Sequence, residues 1–418
     1  MSRSTARECV APRVMVGHGE VLVATEIGDS VHGLLPCPAA PLVGGLLRRK
    51  GMRVRYAPVP QSGDASQSDE GGATLFVTAA LHRDGTSTAI GAAVDGVDGV
   101  TRAAARAAVE EWSAVTGTRR LISAESPWCR GARAALDRVR QVVAASDQTV
   151  HVYGPMACSP QDRADLEKNG AVFIGSLTEV PDGGTVVFPA HGAPVATREA
   201  ATERGLDVID ATCDLAAGVH DEVRRFIERG DQVVVIGHAG HAVTPVLLAE
   251  APGRTTLVES PAGAGAVQVA DPRRVSYVLE PGIAVEDARA PADALRSRFP
   301  ALRPPNPDRF CYAASDRAET VRTMAASCDV VLVLGAEDDP DTRFLAGLIR
   351  SQHAKAHVVA EVSQIVPSWL ISTSAVGIAE STCARPGLAA ELAEALSGLG
   401  PLSVTQRRVS TVVTGRPV

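Results

Sequence analysis

The chain has 418 residues, 45% hydrophobic and 21% charged, with a formal net charge of −7. That is the balance of a globular protein with room for several cores, and its apolar runs, such as 233–236 and 330–334, are far too short to cross a bilayer. An acidic chain without an aromatic-rich basic tract is also not expected to bind nucleic acid.

Taken in chain order, short β-type runs alternate with amphipathic stretches, the pattern of α/β layers with largely parallel sheets. Residues 1–118 read as an accessory α/β unit, with strands at 21–25, 54–57 and 75–78 and helices at 39–49 and 101–115. The polar stretch 61–72 reads as a mobile loop. Leu34-Leu35-Pro36-Cys37-Pro38 precedes a helix much as Ser126-Pro127-Trp128-Cys129 does, either through a decayed duplication or because proline is common at helix starts. Further strands are expected at 120–124, 150–153, 186–189, 207–210, 233–237, 275–279, 330–334 and 375–379. In the helix 131–146, Ala135, Leu136, Val139, Val142 and Val143 share one face. Three prolines in 303–308 close a helix around Leu295 and begin a new unit. The first thirty residues lack a secretory-type apolar stretch, so a cytoplasmic location is expected.

The eight cysteines, Cys9, Cys37, Cys129, Cys158, Cys213, Cys311, Cys328 and Cys383, are scattered and form no CxxC pair. In a reducing compartment they are not a disulfide scaffold, and any metal site must be assembled from distant segments. Three share a setting. Cys129 and Cys213 each follow a strand and open a helix, and Cys311 opens the helix 314–326. A helix N-terminus favours the thiolate form that binds metal. Taken alone, these three read equally as buried structural thiols. Cys328 reads as core, and Cys9 as part of a disordered end.

Ala190-His191-Gly192, Asp210-Ala211-Thr212-Cys213 with His220 downstream, Ile236-Gly237-His238-Ala239-Gly240-His241 and Phe310-Cys311-Tyr312-Ala313 occur in this order. Together, over about residues 119–400, they resemble the 4-hydroxy-3-methylbut-2-enyl diphosphate reductase (IspH/LytB) family of isoprenoid biosynthesis. The resemblance implies a trefoil of three α/β units around a central [4Fe–4S] cluster, held by Cys129, Cys213 and Cys311 with one iron left for the substrate hydroxyl. It implies units at 119–213, 214–310 and 311–400, preceded by the accessory unit 1–118 and followed by a tail, 401–418. It further implies an oxidoreductase acting on an allylic hydroxyl compound or diphosphate, with His191 and His241 in the pocket and ferredoxin or flavodoxin as electron donor.

Several family positions are changed. The proton-donating glutamate expected two residues after His241 is Val243, and a third pocket histidine is replaced by Cys158. A threonine-rich turn reads Leu279-Glu280-Pro281-Gly282. A phosphate-binding loop reads Glu337-Asp338-Asp339-Pro340-Asp341, and the last pocket serine falls near Thr382 or Cys383. A like-charge contact at about 4 Å costs on the order of 4 kcal/mol at an effective dielectric near 20, so an acidic loop predicts poor reception of a diphosphate unless it is a solvated helix start capped by Asp341. Three readings follow: a reductase with an altered pocket, a non-catalytic iron–sulfur binding or sensor protein, or the ordinary diphosphate reductase kept through replacement anchors such as arginines of the N-terminal unit. Cys158 or Cys383 is a candidate to close the cluster's fourth iron, which would favour the sensor, or to provide a proton, and an ordinary thiol otherwise. His220 and His238 read as structural hydrogen-bonding groups.

Overall fold

The computed structural model describes residues 6–11, 14–29, 33–60, 73–81, 87–95, 97–124, 128–241 and 243–411. The loop expected at 61–72 lies outside them, as do Ser126 and Pro127. The first stretch forms β1 (Arg7–Ala11), β2 (Glu20–Asp29), β3 (Gly33–Pro36), α1 (Ala40–Arg49), β4 (Arg53–Val59), β5 (Ala73–Leu81), β6 (Ser87–Val94), α2 (Gly99–Ser113) and β7 (Arg119–Ala124). There follow α3 (Arg130–Ala145), β8 (Val150–Tyr153), α4 (Pro160–Lys168), β9 (Ala171–Ile174), β10 (Thr185–Phe188), α5 (Val195–Glu203), β11 (Asp207–Asp210) and α6 (Asp214–Glu228). Next come β12 (Gln232–Ile236), α7 (Val243–Ala249), β13 (Thr255–Val258), α8 (Pro261–Ala266), β14 (Val275–Leu279), α9 (Val285–Arg298) and α10 (Ala313–Ala325). The chain continues through β15 (Val330–Leu334), α11 (Pro340–Ser351), β16 (Lys355–Val359), β17 (Ala375–Glu380), α12 (Leu388–Ser397) and β18 (Leu402–Arg407).

Two compact units result. The first joins the described residues up to 124 with 320–407, and the second joins 128–319 with 408–411. In the first unit, a mostly antiparallel sheet runs β1-β5-β6-β2-β3, with β4 parallel to β2. A parallel sheet in the same unit runs β16-β15-β17-β7-β18. Every residue of β15 is buried, as its unbroken Val-Val-Leu-Val-Leu run requires of a strand inside a parallel sheet. Leu42, Leu46 and Leu47 of α1 and Trp112 of α2 share one core with Leu332, Leu334, Val376 and Leu396. The N-terminal helices therefore pack into the parallel sheet's own core. At one point backbone meets backbone: a Cβ on Gly45 would collide with the Ser363 carbonyl.

Two segments differ from expectation. Cys9 lies in β1, opposite Leu75 of β5, and not in a disordered end. Part of the expected tail, Leu402–Arg407, forms β18, pairing in parallel with β7. Both are edge strands whose residues are largely exposed or half-buried, so neither carries the apolar alternation by which a strand is read from sequence.

The second unit holds two parallel sheets, β11-β10-β8-β9 and β13-β12-β14. Leu136, Val139 and Val143 of α3 pack on Val150, Val152 and Val187, so the apolar face read from the sequence is the buried one. Val223 and Phe226 of α6 pack on Val233, Val235 and Val278 of the other sheet. Open parallel sheets gather their functional groups at the carboxyl ends of the strands, and the loops leaving β10, β11, β12 and β14 carry the residues described next.

Candidate active site

Cys129 is the N-cap of α3, its sulfur accepting the Ala132 N–H at 3.3 Å. Cys213 is the N-cap of α6, with no cap bond to its side chain. Its backbone N–H donates to the Ala190 carbonyl at 2.9 Å, which ties the histidine-bearing loop to the thiol-bearing one. Cys311 precedes α10, and its sulfur accepts the Ala313 N–H. The three come together within the second unit. A Cβ on Gly131 would lie 2.5 Å from the Cys213 sulfur and 3.9 Å from that of Cys129, so only glycine lets the first turn of α3 pass between them. Burial pushes the Cys311 thiol up to about 11; the Ala313 N–H opposes this, and Cys129 and Cys213 add to it.

Thiols grouped in this way ionise together only around a cation. Among the described residues no three His, Cys, Asp or Glu side chains are close enough to hold a single metal ion. Thiolates on different irons of one cluster stand wider apart than ligands of one ion, because metal and sulfide lie between them. A three-sulfur donor set drawn from separate segments therefore fits an iron–sulfur cluster better than a closed, four-ligand zinc site.

His191 follows β10 in a turn closed by the Gly192 N–H donating to the Pro189 carbonyl at 2.8 Å, with Gly192 at a φ of 76°. Arg198 pins this turn: its guanidinium donates to the Ala193 carbonyl (3.0 Å), Asp210 (2.5 Å) and Thr212 (3.1 Å). The His191 carbonyl lies 2.9 Å from His220 Nε2, and the other ring nitrogen of buried His220 lies 2.8 Å from Glu250. His220 thus has the structural role its sequence suggests. The His191 and His241 rings lie side by side at a tilt of 51°, with centroids 5.2 Å apart. Burial, followed by the neighbouring His241 and His220, lowers His191 to about 4. Burial and His238 lower His241, against the opposing carboxylate of Glu280.

Val243 is fully buried in the apolar cluster with Val223, Phe226 and Leu247, so nothing acidic enters from the start of α7. A carboxylate comes instead from the end of β14. Glu280 is 2% exposed; its Oε2 accepts the His238 N–H and the Thr244 hydroxyl, both at 2.7 Å, and its Oε1 lies 3.4 Å from His241 Nδ1. A Cβ on Gly237 would lie 2.5 Å from Glu280 Oε2, so the glycine of the Gly-His-Ala-Gly-His run makes room for the acid. The sequence alone did not mark Glu280, whose partners lie some forty residues away along the chain. A charged residue directly after an apolar central strand, opposite a glycine, is the signal that could have.

The charges that act on Cys158 are Asp162, Arg163, Arg140 and Glu167, and burial raises its thiol. Cys383 belongs to the first unit, 3.2 Å from the Ser381 hydroxyl, 3.6 Å from that of Thr342 and 3.4 Å from the Ala336 N–H. In the acidic loop the cap of α11 is Asp339, not Asp341. Pro340 takes the first helical position, so the residue before it must cap, and Asp339 accepts the Thr342 N–H at 2.7 Å. Asp341 accepts the Thr382 N–H at 2.7 Å.

The family model described as LytB protein matches residues 121–397. The chain is 37% identical over 295 residues to a Mycobacterium bovis protein named 4-hydroxy-3-methylbut-2-enyl diphosphate reductase 2, covering 70% of this chain and 90% of that protein. It is 35% identical over 277 residues to the Azoarcus protein named 4-hydroxy-3-methylbut-2-enyl diphosphate reductase, covering 66% and 89%. Among solved structures, the Plasmodium falciparum E-1-hydroxy-2-methyl-but-2-enyl-4-diphosphate reductase superposes with a TM-score of 0.60 at 21% identity, over 72% of this chain and 96% of that one. At that identity the likeness speaks for the fold, the α/β trefoil expected from the sequence. The chain belongs to the LytB family, with an N-terminal region lying outside the part that the family model covers.

Proposed function

We propose that this protein is an iron–sulfur oxidoreductase that removes the allylic hydroxyl of 4-hydroxy-3-methylbut-2-enyl diphosphate to give isopentenyl and dimethylallyl diphosphates. It works in the cytoplasm with electrons from a ferredoxin- or flavodoxin-type donor. The observation that carries this reading is the grouping of Cys129, Cys213 and Cys311 in the unit that also sets His191 against His241. The names of the relatives support the substrate. The cluster, when bound, supplies the electrons and the Lewis acidity for hydroxyl loss.

The chain's own residues do the rest. Cys129, Cys213 and Cys311 would hold the cluster as thiolates. His191, buried and lowered to about 4, stays neutral at physiological pH and hydrogen-bonds the anionic substrate as an uncharged group. His241 holds or passes the proton needed when the hydroxyl leaves as water. The test is anaerobic: reconstitute the full chain with iron and sulfide, add the diphosphate and a strong reductant, and analyse the products. Formation of both five-carbon diphosphates is expected. A fully loaded protein that leaves the substrate untouched would refute the reading.

A further inference from the structure

Glu280 is a buried carboxylate whose two oxygens have different surroundings. Oε2 is held by the His238 N–H and the Thr244 hydroxyl, whereas Oε1 faces imidazole nitrogens, His241 Nδ1 at 3.4 Å and His238 Nδ1 at 3.7 Å. Burying a carboxylate is costly unless it is paired, and among the described residues its ionisable partners are these two histidines. His241 Nδ1 has a second neighbour, the Val243 N–H, also at 3.4 Å. The same nitrogen therefore accepts the Val243 N–H when unprotonated and has a carboxylate oxygen beside it when protonated. No described residue bonds its Nε2.

We propose that Glu280 supplies, from another strand end, the carboxylate that Val243 cannot, facing Nδ1 of His241 and favouring the protonated ring while Nε2 delivers a proton to the departing hydroxyl. This rests on the reductase reading above. Removal of the hydroxyl consumes two electrons, from the low-potential donor protein, and two protons. As the C–O bond breaks, the Nε2–H bond breaks and an O–H bond forms, releasing water. Nδ1 keeps its proton facing the Glu280 carboxylate, and Nε2 regains its own from solvent. The second proton ends on carbon and does not pass through this pair. Glu280 is thus a positioning residue acting through His241. Other ionisable groups facing the pair are His238 on the same loop, Glu259 beyond β13, which accepts the Ala239 N–H at 2.7 Å, and His191 across the ring contact.

The test compares Glu280→Gln and Glu280→Asp with the unmodified chain, all reconstituted anaerobically. For Glu280→Gln, kcat falls about 100-fold with KM within about threefold, the range for losing a general acid. Glu280→Asp recovers part of the loss, which a purely structural role would not give. Histidine-selective 15N NMR of the same samples supplies a readout independent of turnover. Loss of the carboxylate lowers the His241 titration midpoint by on the order of 1 pH unit. An unmoved midpoint, or a Glu280→Gln protein with the parent's kcat and pH profile, overturns the proposal. If the unmodified chain turns nothing over, the reductase reading fails by itself, and the His241 midpoint still decides whether the two groups are coupled.

Discussion

His191 takes its chemistry from its surroundings. Burial and two neighbouring imidazoles hold it near 4, against about 6.5 for a free side chain. The unfolded chain therefore binds this proton first, and the ring contributes stability that is present above about pH 6.5 and is lost as pH falls toward 4. Between pH 7 and pH 5 the loss is about 2 kcal/mol. Denaturant midpoints for the parent and for His191→Gln should show this part of the slope only in the parent. Equal slopes would mean that the ring is free to protonate. Other residues here show how context outweighs identity. Val243 reads along the chain as an acid lost, yet Glu280 supplies a carboxylate to the same histidine from another strand end.

Among the elements, those with strong local signals were legible before any coordinates. The buried strands β12, β14, β15 and β17 are mostly apolar runs, and α3 and α6 are amphipathic, so their positions followed from the hydrophobic pattern. The sequence also showed cysteines at helix starts, since a strand, a short turn and a cysteine precede α3 and α6. Less legible were β6, whose centre is an Ala- and Gly-rich run of small residues, and the edge strands β1 and β18. Pairings across distance were invisible. Asp231, fully buried before β12, accepts from Ser276 of β14 at 2.6 Å and from Arg303 at 3.0 and 3.1 Å, joining three segments. Removing one partner of a buried pair strands the other, so Asp231→Ala should cost about 3 kcal/mol, read as a lower denaturant midpoint. A change below about 0.5 kcal/mol would show that the network contributes little.

For the whole molecule, the reductase-like body and the N-terminal region are not separable pieces. Leu42, Leu46, Leu47 and Trp112 are buried in one core with β15, β17 and α12, and Arg49 donates to the carbonyls of Ser363 and Ile365 at 2.5 and 2.9 Å. A chain starting at residue 119 would expose that apolar face, so it should be insoluble or unfold well below the full chain. A soluble 119–418 protein with the parent's unfolding midpoint would show instead that the N-terminal region is an independent addition. Three of the cysteines that looked scattered along the sequence, Cys129, Cys213 and Cys311, are drawn from separate segments into one unit, as the proposed cluster site without a local motif requires. Iron and acid-labile sulfide per chain, measured after anaerobic reconstitution of Cys129→Ser, Cys213→Ser and Cys311→Ser, test that claim most directly. Each variant should retain markedly less iron than the parent, whereas unchanged iron in all three would contradict the assignment of the cluster to these thiols.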